Sequence, residues 1–205
     1  MGDLTKGDDG RRRCWWGAST PEYQAYHDDE WGRPVTDDRG IYERLVLEGF
    51  QSGLSWLTIL RKRENFRAAF ANFDIDTVAA YGDRDVTRLL NDVGIVRHRG
   101  KIEAAIANAK AAAALDVPLA ELVWAHAPRG RRRAPRELGD LPAISPESTA
   151  LSKELKRRGF RFVGPTTAYA AMQACGVVND HLAGCWVRAA VERERRKVKG
   201  AVKVL

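Results

Sequence analysis

The chain has 205 residues, of which 44% are hydrophobic and 30% are charged, proportions typical of a globular protein rather than a disordered one. No apolar run approaches the roughly 18 to 20 residues that a membrane span needs, and the first residues lack the apolar stretch of a signal peptide. We therefore expect no membrane association and a cytoplasmic location. Three cysteines are too few for a disulfide-bonded scaffold, so we expect reduced thiols.

The formal net charge is +7, and two segments hold the basic excess. Residues 129–136 include five arginines, and the segment from residue 188 onward has seven basic and two acidic side chains. Charge runs of this kind are usually solvated loops or tails. By themselves they leave two interpretations open, a solvated surface and a contact with a polyanion such as nucleic acid.

In chain order, the pattern predicts helix after helix with almost no strand signal. Capping residues, apolar faces at helical spacing and terminal glycines or prolines mark the predicted ends. The predicted helices cover residues 20–31, 37–49, 54–70, 74–81, 83–90, 101–115, 118–124, 145–158 and 165–175. Residues 127–142 form a predicted Pro/Gly/Arg loop, and we expect loose ends before residue 14 and beyond about residue 190.

Two histidines and two cysteines have a spacing that points to a metal site. His181 and Cys185 are four residues apart, which on a helix would put an imidazole and a thiolate on one face and provide half of a zinc site. Cys14 and His27 could supply the other half of a closed structural site. Buried cysteine and histidine are also common core residues, and Gly184 weakens the helical placement, so the spacing leaves both interpretations open.

A carboxylate and several aromatic residues fall within the first 56 residues of the chain. Glu48 lies on the same predicted helix face as Ile41 and Leu45, where a charge must be neutralised, paired or used for a ligand. Four of the six tryptophans lie in the first 56 residues, near Tyr23 and Tyr26. They form either an aromatic core or the walls of a pocket, which together with a carboxylate would suit a flat cationic ring such as a modified nucleobase.

Residues 89–102 join two amphipathic predicted helices through a turn at Gly94. A helix–hairpin–helix of this kind presents backbone N–H groups to a DNA phosphate, and Arg97, Arg99 and Lys101 would add positive charge. Stronger versions of the motif have a second glycine where this chain has Val96. A plain helical hairpin is therefore the alternative.

Together these segments resemble the bacterial 3-methyladenine DNA glycosylase I family over most of the chain. The matching stretches are long and occur in the family's order. They are Arg13-Cys-Trp-Trp16, Tyr26-His-Asp-Asp-Glu-Trp-Gly32, Leu47-Glu-Gly-Phe-Gln-Ser-Gly-Leu-Ser-Trp56, Arg61-Lys-Arg-Glu-Asn65, Gly94-Ile-Val-Arg-His-Arg-Gly-Lys-Ile102, Leu151-Ser-Lys-Glu-Leu-Lys156, Phe162-Val-Gly-Pro-Thr166 and Met172-Gln-Ala-Cys-Gly-Val-Val-Asn-Asp-His181.

The resemblance implies an all-α helix–hairpin–helix DNA glycosylase fold with a structural zinc ion that joins the N- and C-terminal segments. The implied zinc ligands are Cys14, His27, His181 and Cys185. We expect the glycosylase domain to cover residues 14–187, after a flexible basic extension of residues 1–13 and before a basic tail of residues 188–205.

The resemblance also implies which residues bind the base and the DNA. Glu48 and Tyr26 would hydrogen-bond an extruded base as the catalytic pair. Trp56 would stack on that base, and Trp16 and Trp31 would complete the walls. The implied DNA contacts lie in two turns and are Gln51, Gly53, Leu54, Gly94, Arg97, Arg99 and Lys101.

The activity implied is that of a monomeric base-excision repair enzyme, which flips 3-methyladenine out of double-stranded alkylated DNA and hydrolyses its N-glycosidic bond. The family lacks the catalytic aspartate that most relatives carry after the hairpin, so we expect Asp116 to be an ordinary residue. Trp15, Thr20 and Phe50 depart from the family pattern and could alter the pocket shape or the DNA contact. Two alternatives are a noncatalytic zinc-bound helix–hairpin–helix DNA-binding protein and a metal-dependent hydrolase with Glu48 as its base.

Overall fold

The computed structural model describes residues 3–130 and 133–201, and within these ranges the chain is mostly helical with one small antiparallel sheet. The helices are α1 (Pro21–Asp29), α2 (Asp38–Gln51), α3 (Trp56–Ala69), α4 (Ile75–Ala79), α5 (Asp83–Asn91), α6 (Arg99–Ala113), α7 (Leu119–Trp124), α8 (Pro146–Arg157), α9 (Pro165–Ala174) and α10 (Arg188–Ala201). The strands are β1 (Leu4–Lys6) and β2 (Arg12–Cys14). This small sheet corrects the expectation of an all-α fold. None of the helices within the described residues is long and apolar enough to cross a membrane.

The nine helices predicted from the sequence are present, and side-chain caps fix where they begin. Thr20 accepts a hydrogen bond from the Tyr23 N–H at 3.2 Å at the start of α1. At the start of α2, the Asp37 carboxylate accepts a hydrogen bond from the Gly40 N–H at 2.8 Å. A capping side chain satisfies a backbone donor that the first helical turn leaves unpaired, which is why these residue types mark helix starts in the sequence.

Helix α2 runs through the centre of the core and contacts α3, α6, α7 and α9. Its side chains Ile41, Leu45 and Phe50 are almost completely buried. The Phe50 ring packs on the Phe66 ring with centroids 4.7 Å apart. The Phe50 side chain therefore fills the core, and an effect of this residue on the pocket shape or the DNA contact stays a prediction.

The N-terminal segment forms a hairpin instead of the predicted loose end. Strands β1 and β2 pair antiparallel, with Leu4 opposite Cys14. Arg13 is only 1% exposed, and its guanidinium donates hydrogen bonds to the carboxylates of Asp28 and Asp9. Pairing with two carboxylates compensates the cost of burying this charge. Strands of three residues are too short to show the alternation that would have predicted them.

The C-terminal segment is also structured where the sequence predicts a loose basic tail. Helix α10 buries Val191 in a second, smaller core with Leu182 and Val187. Its Arg195 is 7% exposed and donates a hydrogen bond to the Val177 carbonyl at 2.6 Å. Some predicted segments lie outside the described residues: residues 202–205 of the tail, and Arg131 and Arg132 of the predicted loop at 127–142, which we call the arginine-rich loop. The division of the chain at residues 13 and 187 stays a prediction.

Candidate active site

A cavity of about 300 Å³ opens where α1, α2, α3 and α9 converge. Its lining includes all five side chains predicted to bind a base, together with one predicted DNA contact, Gln51. The lining residues are Trp16, Tyr23, Tyr26, Trp31, Glu48, Gln51, Trp56, Leu138, Leu141, Ala170 and Gln173.

The aromatic side chains of the cavity support one another through edge-on and tilted ring contacts. Trp16 and Trp31 meet at 86° with ring centroids 5.0 Å apart. On the other side, Tyr26 and Trp56 lie 5.4 Å apart at 43°. Such inclined arrangements are favourable for aromatic pairs and fix the orientation of each ring. The cavity therefore has flat apolar walls in a defined position.

Glu48 supplies the acidic group of this cavity. Its side chain is 7% exposed, and among the described residues no hydrogen-bond donor contacts its carboxyl group. Burial raises the pKa of Glu48 to about 8, and the nearby Arg44 guanidinium opposes only part of that rise. The carboxyl group is thus available to a ligand, and a positively charged ligand would favour its ionised form.

Tyr26 stands beside this carboxyl group with 3% of its surface exposed. Burial, and then the neighbouring Glu48 charge, raise the pKa of the Tyr26 phenol well above its ordinary value. The phenol therefore keeps its proton at physiological pH and can donate a hydrogen bond into the cavity.

Five lining residues were not predicted from the sequence: Tyr23, Leu138, Leu141, Ala170 and Gln173. Helical spacing could have identified some of them, because Tyr23 lies three residues before Tyr26 on α1, and Ala170 and Gln173 are also three apart on α9. Leu138 and Leu141 belong to the arginine-rich loop. No local pattern predicts that this loop reaches the cavity.

The Cys/His set predicted from the sequence forms one buried cluster. One ligand atom from each of Cys14, His27, His181 and Cys185 lies within 4.8 Å of the others. His27 Nε2 is 3.2 Å from His181 Nδ1, and Cys185 Sγ lies 3.5 and 3.6 Å from these two nitrogens. The cluster could hold a metal ion, and it connects β2 and α1 to the segment between α9 and α10.

The local conformation around this cluster differs from the prediction in one respect. His181 and Cys185 lie in the irregular segment between α9 and α10 rather than on a helix, and Gly184, in a turn between them, has a φ of +90°. This left-handed conformation strongly favours glycine. The turn brings the two side chains to one centre by a route that the spacing of four residues does not reveal.

Contacts outside the cluster orient both imidazoles. His27 Nδ1 lies 2.7 Å from an Asp28 carboxylate oxygen, and His181 Nε2 lies 2.9 Å from the Trp31 carbonyl oxygen. Each ring therefore donates outward and keeps its other nitrogen free toward the centre. Contact with Cys14 lowers the pKa of the Cys185 thiol, so one thiolate is favoured in the cluster.

Apart from Gln51, the residues of the two turns predicted to contact DNA do not line the cavity. In the first turn, Gly53 is exposed with a φ of +79° and Leu54 is 42% exposed. In the second, Arg97 and Arg99 are exposed. Gly94 allows a close approach there, because a Cβ atom at this position would lie 3.1 Å from the Asn65 side chain.

Lys101 does not project from the second turn as predicted. Its side chain is 8% exposed, and its Nζ donates hydrogen bonds to the Phe50 carbonyl at 2.9 Å and the Ser52 carbonyl at 2.6 Å. These carbonyls belong to the C-terminal end of α2, where a positive charge is favourable. The prediction that Lys101 contacts DNA is therefore corrected: it joins the start of α6 to the end of α2.

Three other residues that the sequence singled out do not line the cavity. The Asp116 side chain is 75% exposed and pairs with Arg158, and its lack of a catalytic role stays a prediction. Trp15 is 48% exposed and is absent from the cavity lining, while Thr20 caps α1.

Comparison with known proteins gives concordant matches. A family model described as Methyladenine glycosylase matches residues 15–189. The chain is 50% identical to DNA-3-methyladenine glycosylase 1 of Escherichia coli (strain K12), covering 84% of this chain and 95% of that protein. It is 41% identical to DNA-3-methyladenine glycosylase of Haemophilus influenzae, covering 84% and 96%. A solved structure concerning 3-methyladenine recognition by 3-methyladenine DNA glycosylase I from Staphylococcus aureus superposes with a TM-score of 0.81 at 33% identity, covering 86% of this chain and 96% of that one.

Proposed function

This chain belongs to the methyladenine glycosylase family, and we propose that it is a DNA glycosylase of base-excision repair that releases 3-methyladenine from alkylated DNA. The observation that carries the proposal is the position of Glu48, a buried carboxyl group without a protein partner among the described residues, inside a cavity with aromatic walls. A polar group is retained in such a place when a ligand completes its contacts.

The cavity matches the chemistry of the methylated base. Methylation at N3 gives the base in DNA a positive charge, and a carboxylate with aromatic faces stabilises a flat cation. Glu48 would accept a hydrogen bond from the extruded base and Tyr26 would donate one. Trp56 would stack on the ring, and Trp16 and Trp31 would close the sides. Normal adenine is neutral and gains less from the same groups, which gives selectivity.

The charge on the base also explains why the reaction needs few catalytic side chains. The C1′–N9 bond breaks as the purine leaves with the bonding electrons, and the cationic base thereby becomes neutral 3-methyladenine. Water adds to C1′ and loses a proton to solvent. Because the leaving group is already activated, the enzyme must chiefly extrude the nucleotide and hold it in the cavity, and no aspartate at the position of Asp116 is needed.

We propose that double-stranded DNA binds across the two turns outside the cavity. The turn at Gly94 with its flanking helices would act as a helix–hairpin–helix, in which backbone N–H groups, Arg97 and Arg99 contact phosphates. Gln51, Gly53 and Leu54 would lie where the extruded base leaves a gap. Since all of these residues come from one chain, the proposed active form is a monomer, and it acts in the compartment that holds DNA, the cytoplasm in bacteria.

We further propose that the Cys/His cluster binds zinc in a structural role. Zinc bonds of about 2.0–2.1 Å to nitrogen and 2.3 Å to sulfur give tetrahedral edges of about 3.3 Å between two nitrogens and 3.6 Å between nitrogen and sulfur. The observed separations of 3.2, 3.5 and 3.6 Å fit these edges. Four protein ligands leave no open position for substrate, so the ion would tie the chain ends together rather than take part in the reaction.

The test is chromatography of the bases released from methylating-agent-treated duplex DNA by the wild type and by Glu48→Gln, with 3-methyladenine and 7-methylguanine followed together. We expect the wild type to release 3-methyladenine selectively. Glu48→Gln should release it at least about tenfold more slowly, because a charged hydrogen-bond partner contributes roughly 1.5–3 kcal/mol. Glu64→Gln is the matched control, since the Glu64 side chain is 77% exposed.

Three outcomes would contradict the proposal. DNA binding without any base release would identify a noncatalytic binding protein. Unchanged release by Glu48→Gln would remove Glu48 from recognition. Immediate loss of activity on chelation in a protein that stays folded would indicate a metal-dependent hydrolase instead.

A further inference from the structure

Phe162 combines a left-handed backbone conformation with an exposed aromatic ring. Its φ is +54°, in the left-handed region that side chains other than glycine and asparagine seldom adopt, and its side chain is 44% exposed. A strained backbone persists only when the surrounding structure imposes it, and such strain concentrates at functional positions. Hydrophobic burial does not explain this conformation, because the ring is half open to solvent.

Two buried polar side chains hold the backbone on either side of Phe162. Asn108 donates to the Arg161 carbonyl at 3.0 Å and accepts from the Arg161 N–H at 2.6 Å. Ser152 donates to the Val163 carbonyl at 2.6 Å. Asn108 and Ser152 are 3% and 1% exposed. The core thus uses both polar groups to fix the segment that presents the aromatic ring.

The ring lies beside the surface that carries both predicted DNA turns. A Cβ atom placed on Gly100, in the first turn of α6, would lie 4.0 Å from the tip of the Phe162 ring. A Cβ atom placed on Gly49, next to Glu48 on α2, would lie 3.6 Å from the Phe162 Cβ. The same two helix ends are joined by the Lys101 hydrogen bonds, so the ring, the hairpin and the end of α2 form one connected surface.

We propose that Phe162 is a DNA-contacting residue whose ring packs against the duplex beside the extruded nucleotide. The proposal rests on the glycosylase function proposed above. Arg97 and Arg99, close in sequence to Gly100, and Arg161, next to Phe162, are exposed and suit the phosphates. The aromatic ring suits the faces of bases that lose a stacking neighbour when a nucleotide is extruded.

The experiment compares Phe162→Ala and Phe162→Gly with the wild type. Ile144→Ala is the matched control, because Ile144 is also an exposed apolar residue, at 50%, but lies between the arginine-rich loop and α8. Three quantities are measured: single-turnover release of 3-methyladenine from duplex DNA, affinity for free 3-methyladenine, and the melting temperature. Both Phe162 variants should release the base at least about tenfold more slowly, in line with the loss of one aromatic stacking contact. Their affinity for the free base should stay within about twofold of the wild type, because the cavity lining is unchanged.

The melting temperatures distinguish the loss of a DNA contact from the loss of protein stability. Phe162→Gly should melt a few degrees above Phe162→Ala, because glycine adopts a positive φ without strain, yet both should lose base release equally. If the variant with the lower melting temperature also releases the base more slowly than the other, the ring has a structural role and the proposal is wrong. Release within twofold of the wild type, or a parallel loss of free-base affinity, would also overturn it. If the wild type itself releases no 3-methyladenine, the proposed function fails rather than the assignment of Phe162.

Discussion

Glu48 occupies a position where water solvates its charge poorly, since the residue is only 7% exposed. The sequence indicated that this carboxylate lies on an apolar helix face but left its partner open. The structure surrounds it with aromatic residues and a protonated phenol rather than a bonded arginine. Its burial should therefore cost stability, which is a measurable consequence of holding the group ready for a ligand.

We predict that Glu48→Gln stabilises the free protein and that the gain grows with pH. Burial raises the pKa of Glu48 from 4.5 to about 8. Between these values the unfolded chain is ionised while the folded protein keeps the proton, so rising pH favours unfolding of the wild type. The difference in unfolding free energy should increase by at most about 1.4 kcal/mol per pH unit in this window and level off above it.

The measurement is urea unfolding of the wild type and Glu48→Gln at pH 5, 6, 7 and 8. Glu64→Gln, which changes an exposed carboxylate, should show a difference that hardly varies with pH. A constant difference for Glu48→Gln across the same range would mean that Glu48 is not held in its neutral form.

Some residues could be assigned from the sequence because their type and spacing are unusual, and others could not. A carboxylate on an apolar face and several tryptophans near it left a core and a pocket both open, and the family resemblance singled out the five residues that line the cavity. Lys101 was misassigned because a basic residue after a hairpin looks the same in sequence whether its ammonium faces a phosphate or the end of a neighbouring helix. Its pairing with residues about fifty positions earlier depends on the tertiary fold.

At the scale of elements, long helices with capping residues were predictable and short or irregular elements were not. Helices such as α2 and α8 carry both a cap and an apolar face. The β1–β2 hairpin has three-residue strands, and α10 has a sequence dominated by charge, so neither gives a clear pattern. The loop with Leu138 and Leu141 reaches the cavity through contacts made far along the chain, including a hydrogen bond from the Leu138 N–H to Asp3.

The connection between α6 and α2 through Lys101 gives a prediction at this scale. Lys101→Met should lower the unfolding free energy by about 1–3 kcal/mol, because it leaves the Phe50 and Ser52 carbonyls without their donor. The salt dependence of binding to undamaged duplex DNA should keep its slope. Removal of a phosphate contact would instead reduce that slope by about one.

The measurements are urea unfolding and the dissociation constant for duplex DNA across a series of salt concentrations. Lys110→Met, on the exposed side of the same helix, is the matched control and should change stability little. A stable Lys101→Met variant with a reduced salt slope would restore Lys101 as a phosphate contact.

At the scale of the whole molecule, the Cys/His cluster joins the two ends of the chain. Cys14 and His27 come from its beginning, and His181 and Cys185 from a segment more than 150 residues later. The hairpin, α10 and the small second core surround this junction. The four residues could be identified from the sequence through the family resemblance, but only the fold shows that the segments flanking them, the hairpin and α10, are structured within the described residues.

We predict that Asp28→Asn weakens metal binding by about 10- to 100-fold, because a carboxylate that orients a metal-ligating imidazole typically contributes this much. Competition with a chromophoric chelator measures the affinity. Asp29→Asn is the control, since Asp29 is the exposed neighbour of Asp28. Equal affinities for the two variants would show that the contact between Asp28 and His27 does not support a metal site.

The central claim is that this cavity selects a methylated base by its charge and shape. The most direct measurement is calorimetric titration of the 3,9-dimethyladeninium cation, which keeps the positive charge of the base in DNA, and of neutral 9-methyladenine into the wild type and Glu48→Gln under identical conditions. The account predicts that the wild type prefers the cation by at least about tenfold and that Glu48→Gln loses most of this preference while remaining folded. Equal affinity of the wild type for the two compounds, or an undiminished preference in Glu48→Gln, would contradict it.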